Sequence, residues 1–392
     1  MKKRVIIFLN RLVIGGVAQD VVSLAWYLRN DYEILLLVGA KNADEAAAGN
    51  LLAEYPGLRV EELPGLHRSF RPLADWRSYR QVKKLMRRFG PAIVHTHGTK
   101  PGIIGRLAAR ECGVPVILHT YHGHVFHSYF TAFLSGVLIR IDRWLARFST
   151  RIIAISSSQK EELVNQYQIC GAEKVVVIPL GVETEKFRDL SAARAAFRQT
   201  YLLREDDIAV GIIGRIVPIK NHSFFIEAVK DILEENPFVR VFIVGDGSAR
   251  EALEGYLDEL MLSHTYFPLQ AILSPVTFTS WQTDIVQVIA GLDIVALSSL
   301  NEGTPLSLME AQAAGKPVIS TRAGGVAEIL LDQATGYLIE QGDLARYRQK
   351  LKLLIDNDTI RQKLGANGQQ FIQSRFSKPA QVAAHRQLYS SF

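Results

Sequence analysis

Short apolar runs alternate with longer helical patterns along almost the whole chain, and this alternation limits the folds available to it. Runs of roughly four to eight apolar residues rich in Val and Ile are typical of strands buried on both faces of a sheet. The helical patterns between them supply the crossovers that parallel strands need. We therefore predict an α/β fold. The predicted strands are residues 4–9, 33–38, 92–95, 115–119, 151–155, 208–213, 239–244, 276–279, 294–297 and 317–320.

These strands form two series, which predicts two Rossmann-like halves. A polar stretch rich in Arg and Ala joins the series near residues 182–200. The length of 392 residues suits two domains of roughly 100 to 200 residues each. We expect an N-terminal domain over residues 1–185 and a C-terminal domain over residues 186–375.

Cysteine content and hydropathy exclude several protein classes. Cys112 and Cys170 are the two cysteines of the sequence, which excludes a disulfide scaffold and a cysteine-rich zinc module and favours a reducing, cytoplasmic setting. The apolar run 5–9 follows a basic start but ends at Asn10, short of the roughly 7 to 15 residues of a signal peptide. The sequence has no run of about 18 apolar residues, so we expect no membrane span.

Two features of the first half favour contact with an anionic surface. Residues 1–190 carry 26 Lys and Arg against 17 Asp and Glu, a net charge of +9, and residues 68–88 hold eight basic side chains against the single acid Asp75. Residues 130–148 form an amphipathic helical pattern with arginines beside an apolar stripe. Phosphates or anionic lipid suit such surfaces. A solvated helix face and ordinary core packing are the alternatives.

Ligands of open parallel sheets lie at the carboxyl ends of the strands, and two loops there carry groups suited to phosphate. Gly15 and Gly16 precede a predicted helix, where backbone N–H groups can approach a phosphate. A structural glycine turn is the alternative. Strand 208–213 is followed by Arg215 and Lys220, which can clamp a diphosphate, or can be two surface cations.

Residues 301–318 place two carboxylates around the start of a helix. Pro305 suits the first helical turn and Gly315 suits the helix end, so Glu302 precedes the helix and Glu310 lies on it. One carboxylate can accept hydrogen bonds from sugar hydroxyls and the other from a ribose. The helix amides between them can face a diphosphate.

Taken together, these motifs resemble glycosyltransferase family 4, the retaining enzymes of GT-B fold. The resemblance covers nearly the whole chain. The motifs that carry it are, in chain order, Gly15-Gly16, residues 178–182, G-R-x-x-x-x-K from Gly214 to Lys220, Gly245-Asp246-Gly247, Glu302 and Glu310 in E-x7-E spacing, and residues 323–328.

The resemblance implies an α/β GT-B fold in which two Rossmann-like parallel-sheet domains face each other across a cleft. The first domain would bind the acceptor and the second the nucleotide-sugar donor, with residues 376–392 crossing back to the first. The implied reaction moves a hexose, with a UDP-sugar favoured, to a hydroxyl of a glycan or lipid-linked acceptor in polysaccharide biosynthesis, with retention at the anomeric carbon. No essential metal is expected, because cations and helix amides would stabilise the leaving diphosphate. No essential cofactor and no nucleic-acid partner are expected either.

Site residues follow from the same resemblance. Glu310 is expected to hold the ribose and Glu302 the sugar. The catalytic residues implied are His122, Arg215, Lys220 and Glu302. The donor-binding residues implied are Gly15, Gly16, Arg215, Lys220, Ser280, Glu302, Gly303, Thr304, Pro305, Leu306 and Glu310.

Histidines cluster after two neighbouring strands of the first half. The resemblance places His122 beside the transferred sugar, with His124 as a substitute for that role. His97, His124 and Arg68 are expected on the acceptor side, and a structural role is the alternative for His97 and for the neighbouring His95. A metal site is the competing interpretation, since clustered histidines are common ligands, although these loops contain no Asp, Glu or Cys.

Other functions are compatible with two Rossmann-like halves. An NAD-dependent oxidoreductase is disfavoured, because no predicted strand is followed by G-x-G-x-x-G with an acidic residue about 20 positions on. A nucleotide-sugar epimerase and a catalytically silent sugar-binding protein stay open. We expect a cytoplasmic enzyme that associates peripherally with the inner face of the membrane.

Overall fold

The computed structural model describes residues 2–40, 49–67, 69–123, 132–268 and 272–392. The chain divides into two units. The first contains Met1–Gly181 and Lys378–Phe392, and the second contains Val182–Ser377.

The first unit is built on a seven-stranded sheet in which every pairing is parallel, in the order β3-β2-β1-β4-β5-β6-β7. Its strands are β1 Arg4–Arg11, β2 Glu33–Gly39, β3 Arg59–Leu63, β4 Ile93–His97, β5 Val116–Tyr121, β6 Arg151–Ala154 and β7 Val175–Val177. Its α-helices are α1 Gly16–Leu28, α2 Gly49–Glu54, α3 Pro72–Phe89, α4 Thr99–Glu111, α5 Ala132–Ala146, α6 Ser157–Glu161 and, from the chain end, α15 Lys378–Ser390.

The second unit has a second seven-stranded parallel sheet, in the order β10-β11-β9-β8-β12-β13-β14. Its strands are β8 Ile208–Ile213, β9 Val239–Val244, β10 His264–Tyr266, β11 Val276–Ser280, β12 Ile294–Leu297, β13 Val318–Thr321 and β14 Gly336–Ile339. Its α-helices are α7 Ser191–Thr200, α8 His222–Glu235, α9 Arg250–Glu259, α10 Ile285–Gly291, α11 Leu306–Ala313, α12 Val326–Ile329, α13 Leu344–Asp356 and α14 Asp358–Arg375.

The continuous apolar strands are buried on both faces, as their composition predicts. In β1, Val5 and Ile7 pack into one hydrophobic cluster while Ile6 and Phe8 pack into another. Successive side chains of a strand point to opposite faces, so each sheet carries an apolar layer on both sides. This confirms the predicted α/β class with parallel sheets.

Sequence reasoning missed the strands β3, β7, β10 and β14. Each is three to five residues long, and each lies at an edge of its sheet. Edge strands pair on one side alone and need no long apolar run, so the periodicity that marks central strands is too short to detect in them.

Sheet topology identifies where ligands bind. In the first sheet the strand order reverses between β1 and β4, because earlier strands are added on one side of this point and later strands on the other. In the second sheet the order reverses between β8 and β12. Open α/β sheets bind ligands beyond the carboxyl ends of the strands at such a switch point. The loops after β1 and β4, and those after β8 and β12, are therefore the places to search for a site.

Candidate active site

The switch point of the second unit brings together two of the predicted site residues. Lys220 follows β8 and Glu302 follows β12, and these strands are paired neighbours. The Lys220 ammonium forms an ion pair with Glu302 Oε1, although 82 residues separate them in sequence. Ser299 Oγ donates a second hydrogen bond to the same oxygen at 2.6 Å. A cation and an oriented carboxylate thus lie side by side at the carboxyl end of the sheet.

Hydrogen bonds between the two loops fix this ion pair in place. Ser298 Oγ donates to the carbonyl of Lys220 at 3.0 Å and to that of Asn221 at 2.9 Å. Leu300 N–H donates to the Ile219 carbonyl at 2.9 Å. The backbone around Lys220 is therefore held to the start of the loop that carries Glu302.

Glycines allow neighbouring loops to approach the backbone of the Lys220 and Glu302 loops more closely than other residues would permit. A Cβ on Gly324, whose φ is +49°, would lie 1.9 Å from the Glu302 carbonyl oxygen. A Cβ on Gly245 would lie 2.1 Å from the carbonyl oxygen of Gly214. Any side chain at these positions would push the loops apart, which explains the glycines in two of the predicted motifs.

Helix α11 begins directly after the Glu302 loop. Pro305 is its N-cap residue, Leu306 is its first residue, and Glu310 lies on it with 5% of its surface exposed. The buried Thr304 Oγ1 has no hydrogen-bond partner among the described residues. Gly303 accepts a hydrogen bond from Gly325 N–H at 2.8 Å, which fixes the backbone just before the helix.

The remaining donor-side residues of the second unit are placed individually. Arg215 is exposed in the loop after β8, and Ser280 ends β11 with a φ of +58°. Of the predicted donor-side residues, the structure brings Lys220 and Glu302 into direct contact. In the first unit, Gly15 is the N-cap residue of α1.

Histidines at the ends of β4 and β5 form a buried group in the first unit. His97 Nδ1 lies 2.8 Å from His122 Nε2, and the His97 ring contacts the His95 ring at a tilt of 40°, with centroids 4.1 Å apart. His95 in turn contacts Tyr389 Oη at 2.6 Å and Thr120 Oγ1 at 2.7 Å. The predicted residues His97 and His122 are thus in direct contact.

A buried ion pair lies in the same region. Lys378 Nζ and Gln381 Nε2 each donate to Asp20 Oδ1 at 2.8 Å, and all three side chains are under 5% exposed. Burial raises the pKa of Asp20, but nearby positive charge, above all that of Lys378, and the hydrogen bonds from Lys378 and Gln381 together outweigh burial and hold the pKa below its usual value. These residues tie α15 to α1. Sequence reasoning missed them, because 358 residues separate Asp20 from Lys378 and neither stands in a motif.

Burial also determines the protonation of the histidines. It lowers the pKa of His95 and His97 well below the usual value. For His122, burial lowers the pKa while the charge of Asp20 raises it. The buried imidazoles are therefore neutral near pH 7. Within the described residues, no group of three His, Cys, Asp or Glu side chains is arranged to hold a metal ion. His124 and Arg68 lie outside the described residues.

Comparison with known proteins identifies the family. The family model "Glycosyltransferase Family 4" matches residues 14–186, and "Glycosyl transferases group 1" matches residues 193–371. The UDP-Gal:alpha-D-GlcNAc-diphosphoundecaprenol alpha-1,3-galactosyltransferase of Escherichia coli is 31% identical over 77% of this chain and 76% of its own length. The chain belongs to glycosyltransferase family 4. This confirms the family and the enzyme class expected from the sequence.

Two further matches extend the comparison. The capsular polysaccharide biosynthesis glycosyltransferase CapM of Staphylococcus aureus is 24% identical to this family 4 glycosyltransferase over 88% of both chains. The crystal structure of Anabaena Alr3699/HepE in complex with UDP-glucose superposes with a TM-score of 0.83 at 21% identity, covering 99% of this chain and 100% of that one. The superposition confirms the GT-B fold. No helix in the described ranges is long and apolar enough to cross a membrane.

Proposed function

We propose that this glycosyltransferase moves a hexose from a UDP-sugar to a hydroxyl of a glycan or lipid-linked acceptor, with retention at the anomeric carbon, in the synthesis of a polysaccharide. The observation that carries the proposal is the Lys220–Glu302 pair at the switch point of the second sheet. It sets a phosphate-binding cation beside a sugar-binding carboxylate. The names of the Escherichia coli relative and of the Anabaena complex, which contain UDP-Gal and UDP-glucose, favour uridine as the base.

The second unit would hold the donor through side chains with separate tasks. The Lys220 ammonium has three N–H donors, so it can keep its bond to Glu302 while it binds a diphosphate oxygen. Arg215, exposed in the same loop, would add a bidentate contact to the diphosphate. Glu302 would accept hydrogen bonds from the sugar, and Glu310 from the ribose.

The residues at the start of α11 would complete this donor site. The unpartnered Thr304 hydroxyl and the first amides of the helix can donate to phosphate oxygens. In the first unit, Gly15 and Gly16 at the start of α1 offer backbone N–H groups that can bind an anionic ligand. Ser280 ends the strand next to β9, where a base can be read through backbone groups.

Retention requires the acceptor to enter on the face that the diphosphate leaves. The bond from the anomeric carbon to the diphosphate oxygen breaks, a bond from that carbon to the acceptor oxygen forms, and the acceptor proton passes to the departing phosphate. Negative charge therefore grows on the diphosphate, where Arg215 and Lys220 stabilise it. His122 would contact a hydroxyl of the transferred sugar, because its buried Nδ1 has no partner among the described residues.

The surface of α3 supports an acceptor presented at a membrane. Three large apolar side chains near its start are exposed: Phe70 by 56%, Leu73 by 77% and Trp76 by 55%. Exposed basic residues flank them, and the Arg80 guanidinium lies 4.8 Å from the centre of the Trp76 ring. Aromatic and basic side chains together suit the boundary of an anionic bilayer.

This surface is anchored next to the histidine group. The buried Lys100, three residues after His97, donates to the Ser69 carbonyl at 2.6 Å and to Asp75 at 2.7 Å. The start of α3 is thereby tied to the start of α4. An acceptor carried by a lipid would then be presented close to the end of β4.

The amphipathic pattern of residues 130–148, of which the structure describes 132–148, divides between core and surface. Leu138 and Leu145 are buried in the first unit, which agrees with core packing. Phe133 is 82% exposed and Trp144 is 45% exposed. These exposed side chains would add a second apolar contact to the proposed membrane surface.

A ligand panel followed by product analysis tests the proposed reaction. Thermal unfolding should be measured with UDP, GDP, ADP and their common sugars, since a ligand that binds the folded state raises the melting temperature. We expect UDP and one UDP-sugar to give the largest shifts, and NMR of the product to show the anomeric configuration of the donor. An inverted product would disprove retention, and a new sugar formed from donor alone would indicate an epimerase.

A further inference from the structure

The imidazoles of His97, at the end of β4, and His122, just after β5, are hydrogen-bonded to each other. His97 Nδ1 and His122 Nε2 share one hydrogen bond of 2.8 Å. Their other ring nitrogens, Nε2 of His97 and Nδ1 of His122, are buried and have no hydrogen-bond partner within the described part of the chain. His97 is 1% exposed, whereas His122 is only partly buried.

Sharing one hydrogen bond couples the tautomers of the two rings. A neutral imidazole has one N–H and one acceptor nitrogen. If His97 Nδ1 donates, the proton of His122 must be on Nδ1. If His122 Nε2 donates, the proton of His97 must be on Nε2. One of the two unpartnered nitrogens therefore carries a proton and the other carries a bare lone pair.

The difference in burial between the two rings favours the first arrangement. A buried N–H without an acceptor is rarer in proteins than a buried acceptor without a donor, so the enclosed His97 Nε2 should carry the lone pair. His122, the less buried of the two rings, therefore carries its proton on Nδ1.

We propose that His97 is a positioning residue that fixes His122 as a hydrogen-bond donor through Nδ1. The proposal rests on the proposed function, in which His122 contacts a hydroxyl of the transferred sugar. His122 would then bind the oxygen of that hydroxyl as an acceptor. A donor sugar without an oxygen at that position would lose the contact.

Charges on every surrounding element act on this pair. The Asp20–Lys378 ion pair keeps the nearby charge close to balanced, so His97 sets the tautomer of His122 rather than its protonation. The titratable groups that act on the two imidazoles are Asp20 on α1, His95 on β4, His119 on β5, and Lys378 and His385 on α15.

The tautomer can be measured without turnover. Long-range proton–nitrogen spectra of the whole protein labelled with ¹⁵N histidine distinguish the two neutral forms, and loss of signals in His122→Ala assigns the ring. We expect the Nδ1–H form for His122 in the native protein. His97→Asn, whose amide can still donate, should keep this form, and His97→Leu should lose it. An Nε2–H form of His122 in the native protein would overturn the proposal.

Kinetics test whether the tautomer matters for transfer. His97→Leu should lower kcat roughly five- to tenfold with little change in UDP affinity, as expected for one lost hydrogen bond, and His97→Asn should restore most of it. In His122→Ala, the further change His97→Leu should have no additional effect on kcat.

His119→Leu is the matched control. The ring of His119 is also buried, but it contacts Thr96 at 2.9 Å on the opposite face of the sheet. The effect of His119→Leu on kcat should therefore add to that of His122→Ala.

These outcomes separate the two proposals. Full turnover in His122→Ala would disprove the sugar contact, and the spectra would still report the tautomer. Reduced turnover in His122→Ala together with an additive effect of His97→Leu would disprove the positioning role alone. If His97→Leu does not fold, the native spectra and His97→Asn still decide the matter.

Discussion

Different kinds of contact hold together the two switch points of this enzyme. At the end of the first sheet, buried side chains bind one another, as in the His97–His122 contact and the Asp20–Lys378 pair. At the end of the second sheet, the backbones of adjacent loops are in close contact at Gly245 and Gly324. Buried side-chain networks are specific but depend on protonation, because each member needs its partner in one charge state.

Backbone loops behave differently. Their amides do not titrate, so phosphate binding by these loops, as proposed above, should change little with pH. Close contacts such as that of Gly324 with the Glu302 carbonyl hold those amides in position. The difference between the two regions leads to predictions that separate them by acid, by mutation and by ligand.

Acid should destabilise the first unit more than the second. Burial lowers the pKa of His95, His97 and His119 well below the usual value and that of His385 to about 4, whereas in the second unit His222 is lowered to about 4. The unfolded histidines bind protons first, so stability is complete above about pH 6.5 and falls as the pH drops towards 4. Each contributes a slope of about 1.4 kcal/mol per pH unit.

Hydrogen exchange during urea unfolding, read separately for peptides of each unit and corrected for intrinsic exchange, checks this prediction at about pH 7 and about pH 5. Equal losses of stability in the two units would contradict it.

Breaking the buried ion pair should cost the first unit much of its stability. Lys378→Met leaves Asp20 buried without its cation, which typically destabilises by about 3 to 5 kcal/mol. Arg386→Met on the same helix removes an ion pair with Asp31 whose side chains are 44% and 45% exposed, and it should cost about 0 to 1 kcal/mol. Urea unfolding compares the two variants. Similar losses would mean that α15 is held by its apolar contacts instead.

Removing the proposed phosphate cations should affect turnover more than folding. Lys220→Ala and Arg215→Ala each remove a donor to a developing anion, which typically costs about 3 to 4 kcal/mol of transition-state stabilisation. Lys352→Ala, which removes an exposed pair with Glu235 in the same unit, is the control. Steady-state rates and calorimetric titration with UDP measure the effect. Normal affinity and turnover in both cation variants would remove them from the mechanism.

Substitutions of the two carboxylates, Glu310 and Glu302, should have different effects on the affinity for UDP. Glu310→Gln weakens the proposed ribose contact, and a hydrogen bond to a charged group is worth about 1.5 to 3 kcal/mol. Glu302→Gln removes the carboxylate that engages Lys220, so UDP should bind at least as well as to the native enzyme. Titration with UDP, which has no sugar, compares the variants. The reverse pattern would mean that the two roles are exchanged.

The smallest effect is expected at the surface of α3. Each basic residue near an anionic membrane contributes about 1 kcal/mol, so Arg77→Ala or Arg80→Ala should weaken vesicle binding modestly, and added salt should weaken it further. Arg346→Ala on α13, exposed in the second unit, is the control. Sedimentation with neutral and anionic vesicles measures binding. Negligible binding to both kinds of vesicle would leave α3 a solvated surface.

The sequence by itself determined the parallel α/β architecture and the loops that carry the candidate site. Central strands are buried on both faces, so their apolar runs are visible in any window of the chain. Arg215, Lys220, Glu302 and Glu310 follow strands whose carboxyl ends must meet at one edge of a sheet. Local pattern therefore predicts the elements and the motifs.

Only the tertiary structure decided which side chains meet. The edge strands, the Lys220–Glu302 pair and the His97–His122 contact depend on residues brought together from distant positions. Asp20 and Lys378 are the extreme case, because their 358-residue separation leaves no signal in either local sequence. Periodicity reports which face of an element is buried, but a contact between two elements depends on how the whole sheet and its helices pack.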